Sequence, residues 1–334
     1  MIVVIERTAQ KQDIDELKNV LQNENISYRE LSGPDYLAFH VFLSNDGEAI
    51  VDNLQAYRAV EKIIPLSKPY RKQLARRTQK PINIRGYDAT KEPFIIAGPC
   101  SIESESQLRE IAKAVKASGA HALRGGAFKP RTSPYTFQGM GDKGIHILKK
   151  IAEEVDLPCV SEILSVNDVE LFKKHVDIIQ VGARNMQNYD LLKALSKTDK
   201  PIILKRGFAS TVEEWLLSAE YLLDGGNENV ILCERGIRSF DPSTPHVLDL
   251  NGVLLAKTLT NLPIIVDPSH AAGDYRFVTD LSKAAIACGA EGVMVEVHHR
   301  PEIAKSDGKQ SLKPDKFHDL CQSIQFIYEK NRPQ

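Results

Sequence analysis

Between Leu123 and Gly139 the chain reads LRGGAFKPRTSPYTFQG, a segment with three cations, Arg124, Lys129 and Arg131, and no acid. Its glycines and prolines favour tight turning, which keeps that charge concentrated. Arg184, Lys205 and Arg235 follow, each at the C-terminal end of an apolar run. Unpaired charges are unfavourable to bury, so cations gathered in one cavity call for anionic ligands. Guanidinium groups match phosphate and carboxylate bidentately, and lysine adds a mobile point charge. Six such residues suggest more than one phosphate, with a carboxylate besides. Ion pairing with Glu162, Glu234 and Asp267, at the ends of neighbouring runs, is the competing reading.

Cys100, His270, Glu296 and, farther on, Asp307 in KSDGKQSL form a second group. A thiolate, an imidazole and two carboxylates suit a divalent transition metal. No short-range metal signature joins them, and each alone has an ordinary explanation. Cysteine is a common small buried hydrophobe, and a single histidine is commonly just hydrogen-bonded. Both readings stand at this point. Cys159 and Cys233 fall inside strand patterns, Cys288 and Cys321 inside helical ones, and all four read as structural.

Residues so distant in sequence need a repeating scaffold to meet. From residue 94 onward, apolar runs alternate with amphipathic helical patterns: FIIAGP (94–99), ALRGGA (122–127), PCVSEI (158–163), IIQVGA (178–183), PIILKRG (201–207), VILCERG (230–236), PIIVDPSH (263–270) and GVMVEVH (292–298). Strands buried on both faces and joined by helices pair in parallel. Eight such units predict an α/β fold with a (β/α)8 barrel over 94–334, whose active site lies at the C-terminal strand ends. An open doubly wound sheet is the alternative; it would usually carry a glycine-rich phosphate loop after its first strand, and GPCSIES is not one. Residues 1–66 read as strand, helix, strand, strand, helix, strand, the ferredoxin-like βαββαβ order. Residues 67–93 read as a linker followed by a hairpin capping the N-terminal mouth of the barrel.

The formal net charge is −1, so an extended basic surface for nucleic acid is not expected. No run of about 18 apolar residues exists to span a membrane. The N-terminus lacks the layout of a signal peptide, and five widely spaced cysteines do not form a disulfide framework. A cytoplasmic location is expected.

The segments IAGPCSIES, LRGGAFKPRTSPYTFQG, QVGARNMQN, LKRGF, LCERGIR, VDPSHAAG and VEVH…SDGKQSL resemble the 3-deoxy-D-arabino-heptulosonate 7-phosphate (DAHP) synthases, in their short β-type form. The resemblance implies condensation of phosphoenolpyruvate with erythrose 4-phosphate, releasing phosphate, as the first step of the shikimate pathway. It implies Cys100, His270, Glu296 and Asp307 as ligands of a divalent metal, most often manganese, with zinc, iron or cobalt as alternatives. Arg124, Lys129 and Lys205 would hold phosphoenolpyruvate, chiefly its carboxylate, and Arg184 with Arg235 its phosphate. Lys129, Arg131, Thr132 and Ser133 would hold erythrose 4-phosphate, and Asp267 is counted with the residues facing the substrates. Catalytic roles would fall to Lys129, Cys100, His270 and Glu162, the last near the attacking water. The glycines of the 123–139 segment would let backbone approach the ligand closely.

The loop AAGDYRF departs from the family pattern, so Arg276 is given no role, and VHHRPE leaves His299 and Arg300 without one. The N-terminal domain is similar to ACT-like domains, which implies feedback inhibition by tyrosine or phenylalanine; an oligomerisation module is the other reading. A homotetramer is expected by resemblance. The rival enzyme is 3-deoxy-manno-octulosonate 8-phosphate synthase, which has a different run after the lysine where this chain has Pro-Arg-Thr-Ser. A non-catalytic amino-acid sensor is the rival from another class.

Overall fold

The computed structural model describes residues 1–33, 36–42, 53–64, 82, 84–85, 87, 92–131 and 133–331. The chain divides into two compact units, Met1–Arg71 and Lys72–Gln334.

In the first unit, β1 (Ile2–Ile5) is followed by α1 (Lys11–Asn23), β2 (Ser27–Gly33), β3 (Tyr36–Phe42) and β4 (Val60–Ile64). The sheet order is β2-β3-β1-β4, antiparallel throughout. That is the ferredoxin-like arrangement the sequence predicts. Burial alternates along β1, with Val3 and Ile5 inward, and α1 meets them with Leu17 and Leu21, one turn apart. Phe39, Val41 and Leu54 complete this core. The first half of the expected second helix, 48–52, lies outside the described residues, and 53–55 are helical.

The second unit holds a closed parallel barrel of eight strands. They are β5 (Phe94–Gly98), β6 (Ala122–Arg124), β7 (Cys159–Ile163), β8 (Ile178–Val181), β9 (Ile202–Lys205), β10 (Val230–Glu234), β11 (Ile264–Val266) and β12 (Gly292–Glu296). All fall inside the runs read from the sequence. Between and after them lie α2 (Glu105–Ala117), α3 (Asp142–Glu154), α4 (Val169–His175), α5 (Tyr189–Leu195), α6 (Val212–Asp224), α7 (Leu250–Leu259), α8 (Pro268–Ala272), α9 (Tyr275–Ala287) and α10 (Pro314–Lys330). Their starts are written locally: Ser104 caps α2, and Thr211 with Glu214 forms a capping box on α6.

The barrel is filled from its own strands, by Phe94, Ile96, Ala122, Val160, Ile178, Ile203, Ile231, Cys233, Ile265 and Met294. Ile82 and Ile84 join this cluster, with Tyr87 packed against it. The Tyr87 ring lies 4.8 Å from that of Phe94, the first residue of β5, at the N-terminal end of the strands. The remainder of the expected linker and hairpin lies outside the described residues.

Candidate active site

Side chains two residues apart on a strand point the same way. In the barrel this parity places a polar group above seven of the core residues, one on each strand from β6 to β12. Ala122 precedes Arg124 by two, Val160 precedes Glu162, Ile178 precedes Gln180 and Ile203 precedes Lys205. Cys233 likewise precedes Arg235, Ile265 precedes Asp267, and Met294 precedes Glu296. The residues between them face outward. Arg206 and Glu234 are of that kind: the Arg206 guanidinium donates to Glu234 at 3.0 Å and to Asp249 at 2.8 Å. The ion-pair reading holds for Glu234, which pairs with Arg206 and braces the strand ends that carry Lys205 and Arg235, and for Asp267, which pairs with Lys205.

The upward-facing groups open into a cavity of about 440 Å3. Its lining includes Lys129, Arg131, Ser133, Arg184, Lys205 and Arg235, together with Glu162, His270 and Asp307. Arg124, Cys100 and Glu296 lie deeper, all buried. Thr132 lies outside the described residues. Among cavity residues the sequence reading missed are Thr136, Phe208, His246 and Gln310. The first three sit in loops and Gln310 in the single 3-10 turn Gly308–Gln310, where no periodicity marks them.

The expected metal group converges on one point. Ligand atoms of Cys100, His270, Glu296 and Asp307 all lie within 4.8 Å of one another. The motif VDPSH builds the histidine's support. Asp267 caps α8 by accepting from the His270 backbone N–H at 3.0 Å, and Pro268 stands at the first turn. Gly273 ends the helix in the left-handed region at φ 63°. Asp267 Oδ2 also accepts a hydrogen bond from His270 Nδ1–H at 2.7 Å, which in the neutral ring leaves Nε2 as the nitrogen able to ligate. Its Oδ2 accepts from Lys205 Nζ as well, at 2.5 Å. Asp267 therefore serves Lys205 and His270 and does not line the cavity. Burial opposes its charge, yet His270 and Lys205 hold its carboxyl well below the usual range.

Glu296 is fully buried. Gln310 donates to its Oε2 at 2.7 Å, whereas Oε1 has no hydrogen-bond partner. That oxygen lies 3.3 Å from His270 Nε2 and 3.0 Å from Arg124 Nη1. The Arg124 contact has the distance of an ion pair but not the alignment of a hydrogen bond, so Nη1 is likewise unpartnered. A buried carboxylate oxygen left bare beside a free imidazole nitrogen, a thiol and a second carboxylate is the donor set a divalent cation completes. The Cys100 thiol donates to Asp307 Oδ2 at 2.9 Å and accepts from Lys129 Nζ at 2.9 Å. Burial, and then the charge of Glu296, push the thiol up; a bound cation would reverse that and hold it as thiolate. Asp307 holds its place with φ 50°, an unusual conformation outside glycine.

Lys129 sits between this cluster and the cavity and is buried. Burial disfavours its ammonium form, but Cys100, Glu162 and Glu296 outweigh that and raise it. The glycines of its segment leave room for neighbouring protein atoms. A Cβ at Gly126 would fall 2.5 Å from the Cys100 carbonyl and 3.1 Å from the Lys129 side chain. Gly182 plays a similar part for Glu162, whose Oε1 would lie 1.9 Å from a Cβ there. Gln180, which the sequence reading passed over, donates to Glu162 Oε2 at 3.1 Å.

Near the cavity's cationic side, burial and then the charge of Arg235 push His246 down to about 4, so it is neutral at pH 7. Arg276 is held by Asp274 at 3.0 and 2.9 Å and is absent from the lining. His298 and His299 stack on each other at 4.8 Å, facing Glu103 and Glu110, and line no part of the cavity either.

Residues 77–329 match the family model of the DAHP synthetase I family. Phospho-2-dehydro-3-deoxyheptonate aldolase of Thermotoga maritima is 41% identical over 332 residues, 98% of this chain and 97% of that protein. The crystal structure of a phospho-2-dehydro-3-deoxyheptonate aldolase (DAHP synthase) from that organism has a TM-score of 0.91 at 40% identity, covering 98% of this chain and 97% of that one. The 2-dehydro-3-deoxyphosphooctonate aldolase of Desulfotalea psychrophila is 33% identical over 251 residues, 69% of this chain and 88% of its own.

Proposed function

Because the chain belongs to the DAHP synthetase I family, we propose that it condenses phosphoenolpyruvate with D-erythrose 4-phosphate and water, giving DAHP and inorganic phosphate. The observation that carries this reading is the meeting of a cation-lined cavity with the Cys100, His270, Glu296 and Asp307 cluster at its floor. Phosphoenolpyruvate has a carboxylate beside a phosphate, and the aldose brings a second phosphate. Three anionic groups match this cavity, where among the described residues Lys129, Arg131, Arg184 and Arg235 have no carboxylate at ion-pair distance, while Lys205 and Arg124 have Asp267 and Glu296.

On this reading Arg124, Lys129 and Lys205 hold the carboxylate, with the unpaired Nη1 of Arg124 available to it. Arg184 and Arg235 hold the enol phosphate, and Arg131, Ser133 and Thr132 the sugar phosphate. The divalent cation, manganese in our reading, would be bound by Cys100, His270, Glu296 and Asp307 and would polarise the aldehyde carbonyl. C3 of phosphoenolpyruvate forms the new C–C bond to the aldehyde carbon, and Lys129 gives the aldehyde oxygen its proton. Glu162 orients water for addition at C2 and receives the proton that water loses. The hemiketal phosphate then breaks its C–O bond, its hydroxyl becoming the ketone as phosphate leaves. The cationic basin attracts phosphate throughout, so it serves each state.

A 2-dehydro-3-deoxyphosphooctonate aldolase is the second reading, supported by the Desulfotalea psychrophila relative, which matches 69% of this chain. Likeness to the DAHP synthase over both units favours the first. Phosphate release from phosphoenolpyruvate should require erythrose 4-phosphate and stop with EDTA. Release with arabinose 5-phosphate alone would reverse the choice. The N-terminal unit is proposed as the receptor for tyrosine or phenylalanine feedback in a tetrameric enzyme of aromatic biosynthesis. Titration calorimetry with each amino acid on the full chain tests this, and absence of heat for both would end it.

A further inference from the structure

One aromatic ring in the cavity wall serves several cations at once. Phe208, in the loop after β9, has the Arg235 guanidinium 4.7 Å from its centroid and that of Arg184 5.1 Å away. Arg238 lies at 5.7 Å, and its backbone N–H donates to the Phe208 carbonyl at 2.7 Å. The neutral imidazole of His246 stacks on the same ring, with centroids 5.4 Å apart and planes inclined by 21°. Phe208, Arg184, Arg235 and His246 all line the cavity.

The two cavity arginines have little else to fix them. Arg184 projects from the short turn Ala183–Asn185 and is exposed. Arg235 is buried, and its guanidinium donates to the Gly236 and His270 carbonyls at 3.3 Å each, which are long bonds. Among the described residues neither forms an ion pair with a carboxylate. Two like charges would separate, and a long side chain samples many rotamers. An aromatic face attracts both through its quadrupole and asks for no counter-charge that would compete with an anion.

We propose that Phe208 is a positioning residue for phosphate recognition, its ring holding the guanidiniums of Arg184 and Arg235 in one preset arrangement before the phosphate arrives. The inference rests on the assignment of those arginines to the phosphoenolpyruvate phosphate. Preset donors lose less freedom on binding, so the gain is read in affinity for that substrate alone.

The test uses Phe208→Leu, Phe208→Tyr and Arg184→Gln in the full chain. Phosphoenolpyruvate affinity is measured by calorimetry, KM is measured for both substrates, and thermal melting checks the fold. Phe208→Leu should weaken phosphoenolpyruvate about tenfold, the scale of losing one exposed cation–π contact, at Arg184, and one buried one, at Arg235. The KM for erythrose 4-phosphate should stay within about twofold, because its proposed site at Arg131 does not touch this ring. Phe208→Tyr keeps the aromatic face and should recover most of the loss. Should leucine unfold the protein, Phe208→Met, with similar reach, takes its place. Equal weakening of both substrates, or a tyrosine variant as weak as leucine, would overturn the inference. Arg184→Gln separates the levels: if it weakens phosphoenolpyruvate while Phe208→Leu does not, the ring's role fails alone. If Arg184→Gln has no effect, the phosphate assignment falls and the inference falls with it.

Discussion

Replacing Asp267 by asparagine should disable the site although Asp267 itself does not line the cavity. The carboxylate is fully buried and accepts three hydrogen bonds: His270 N–H on Oδ1, and His270 Nδ1 with Lys205 Nζ on Oδ2. Asparagine has one acceptor oxygen and one NH2 donor. Whichever way it turns, the NH2 faces a donor, either the backbone N–H or the lysine and imidazole together. If it faces the imidazole, Nδ1 must become the acceptor, the proton moves to Nε2, and the lone pair toward Glu296 is lost. Partners that orient a ligating histidine in this way contribute about 10- to 100-fold in metal affinity. Leaving buried Lys205 without its charge partner destabilises by roughly 3–5 kcal/mol. At about 2–4 °C per kcal/mol for a unit of this size, melting should fall by roughly 10 °C. Phosphoenolpyruvate should restore part of that fall, because its carboxylate can replace the missing charge beside Lys205. Chelator competition reads the metal affinity, and melting with and without phosphoenolpyruvate reads the rest. Metal affinity within threefold of the parent, with unchanged melting, would falsify the support role derived for Asp267.

Further perturbations separate the remaining parts of the site. Lys129→Met should lower kcat by about 10²- to 10⁴-fold, the usual contribution of a placed proton donor, and near-normal turnover would exclude that role. Cys100→Ser should weaken the divalent cation more than about tenfold and shift preference away from softer ions, read by equilibrium dialysis; an unchanged metal profile would remove the thiol from the ligand set. Glu234→Gln breaks the brace to Arg206 and should raise KM for phosphoenolpyruvate, because Lys205 and Arg235 are its chain neighbours; if KM stays fixed while melting falls, the brace is purely structural. On the outer surface, the hydrogen bond from Lys150, and then that from Arg109, hold Glu105 down at about 2. A depressed carboxyl stabilises the fold above its unfolded value, about 4.3, and that contribution fades as pH falls toward 2. The melting difference between parent and Glu105→Gln should therefore be present at pH 7 and vanish near pH 2, and a difference that grows in acid would contradict the ion-pair account.

The sequence by itself determined the barrel, because eight apolar runs separated by helical patterns have few parallel arrangements open to them. Strand periodicity also carried the polar residues at strand ends, since Arg124, Lys205, Arg235 and Glu296 each follow a core residue by two. The capped motif VDPSHAAG was readable for the same local reason. What the sequence left open was which charges pair with each other and which stay free. Arg206 and Lys205 are neighbours and both are ion-paired, yet Arg206 pairs with Glu234 and Asp249 away from the cavity while Lys205 pairs with Asp267 and lines it, a division set by strand parity and by what lies across the barrel. Hydrophobic periodicity also did not single out Phe208, His246, Thr136 or Gln310, which stand in loops or a single 3-10 turn and reach the cavity only through long-range closure. Likewise, Cys100 and Asp307 stand 207 positions apart and meet at 2.9 Å. Only closure of the barrel, which brings β12 back beside β5, decides such a contact, because hydrogen bonding between the first and last strands is non-local.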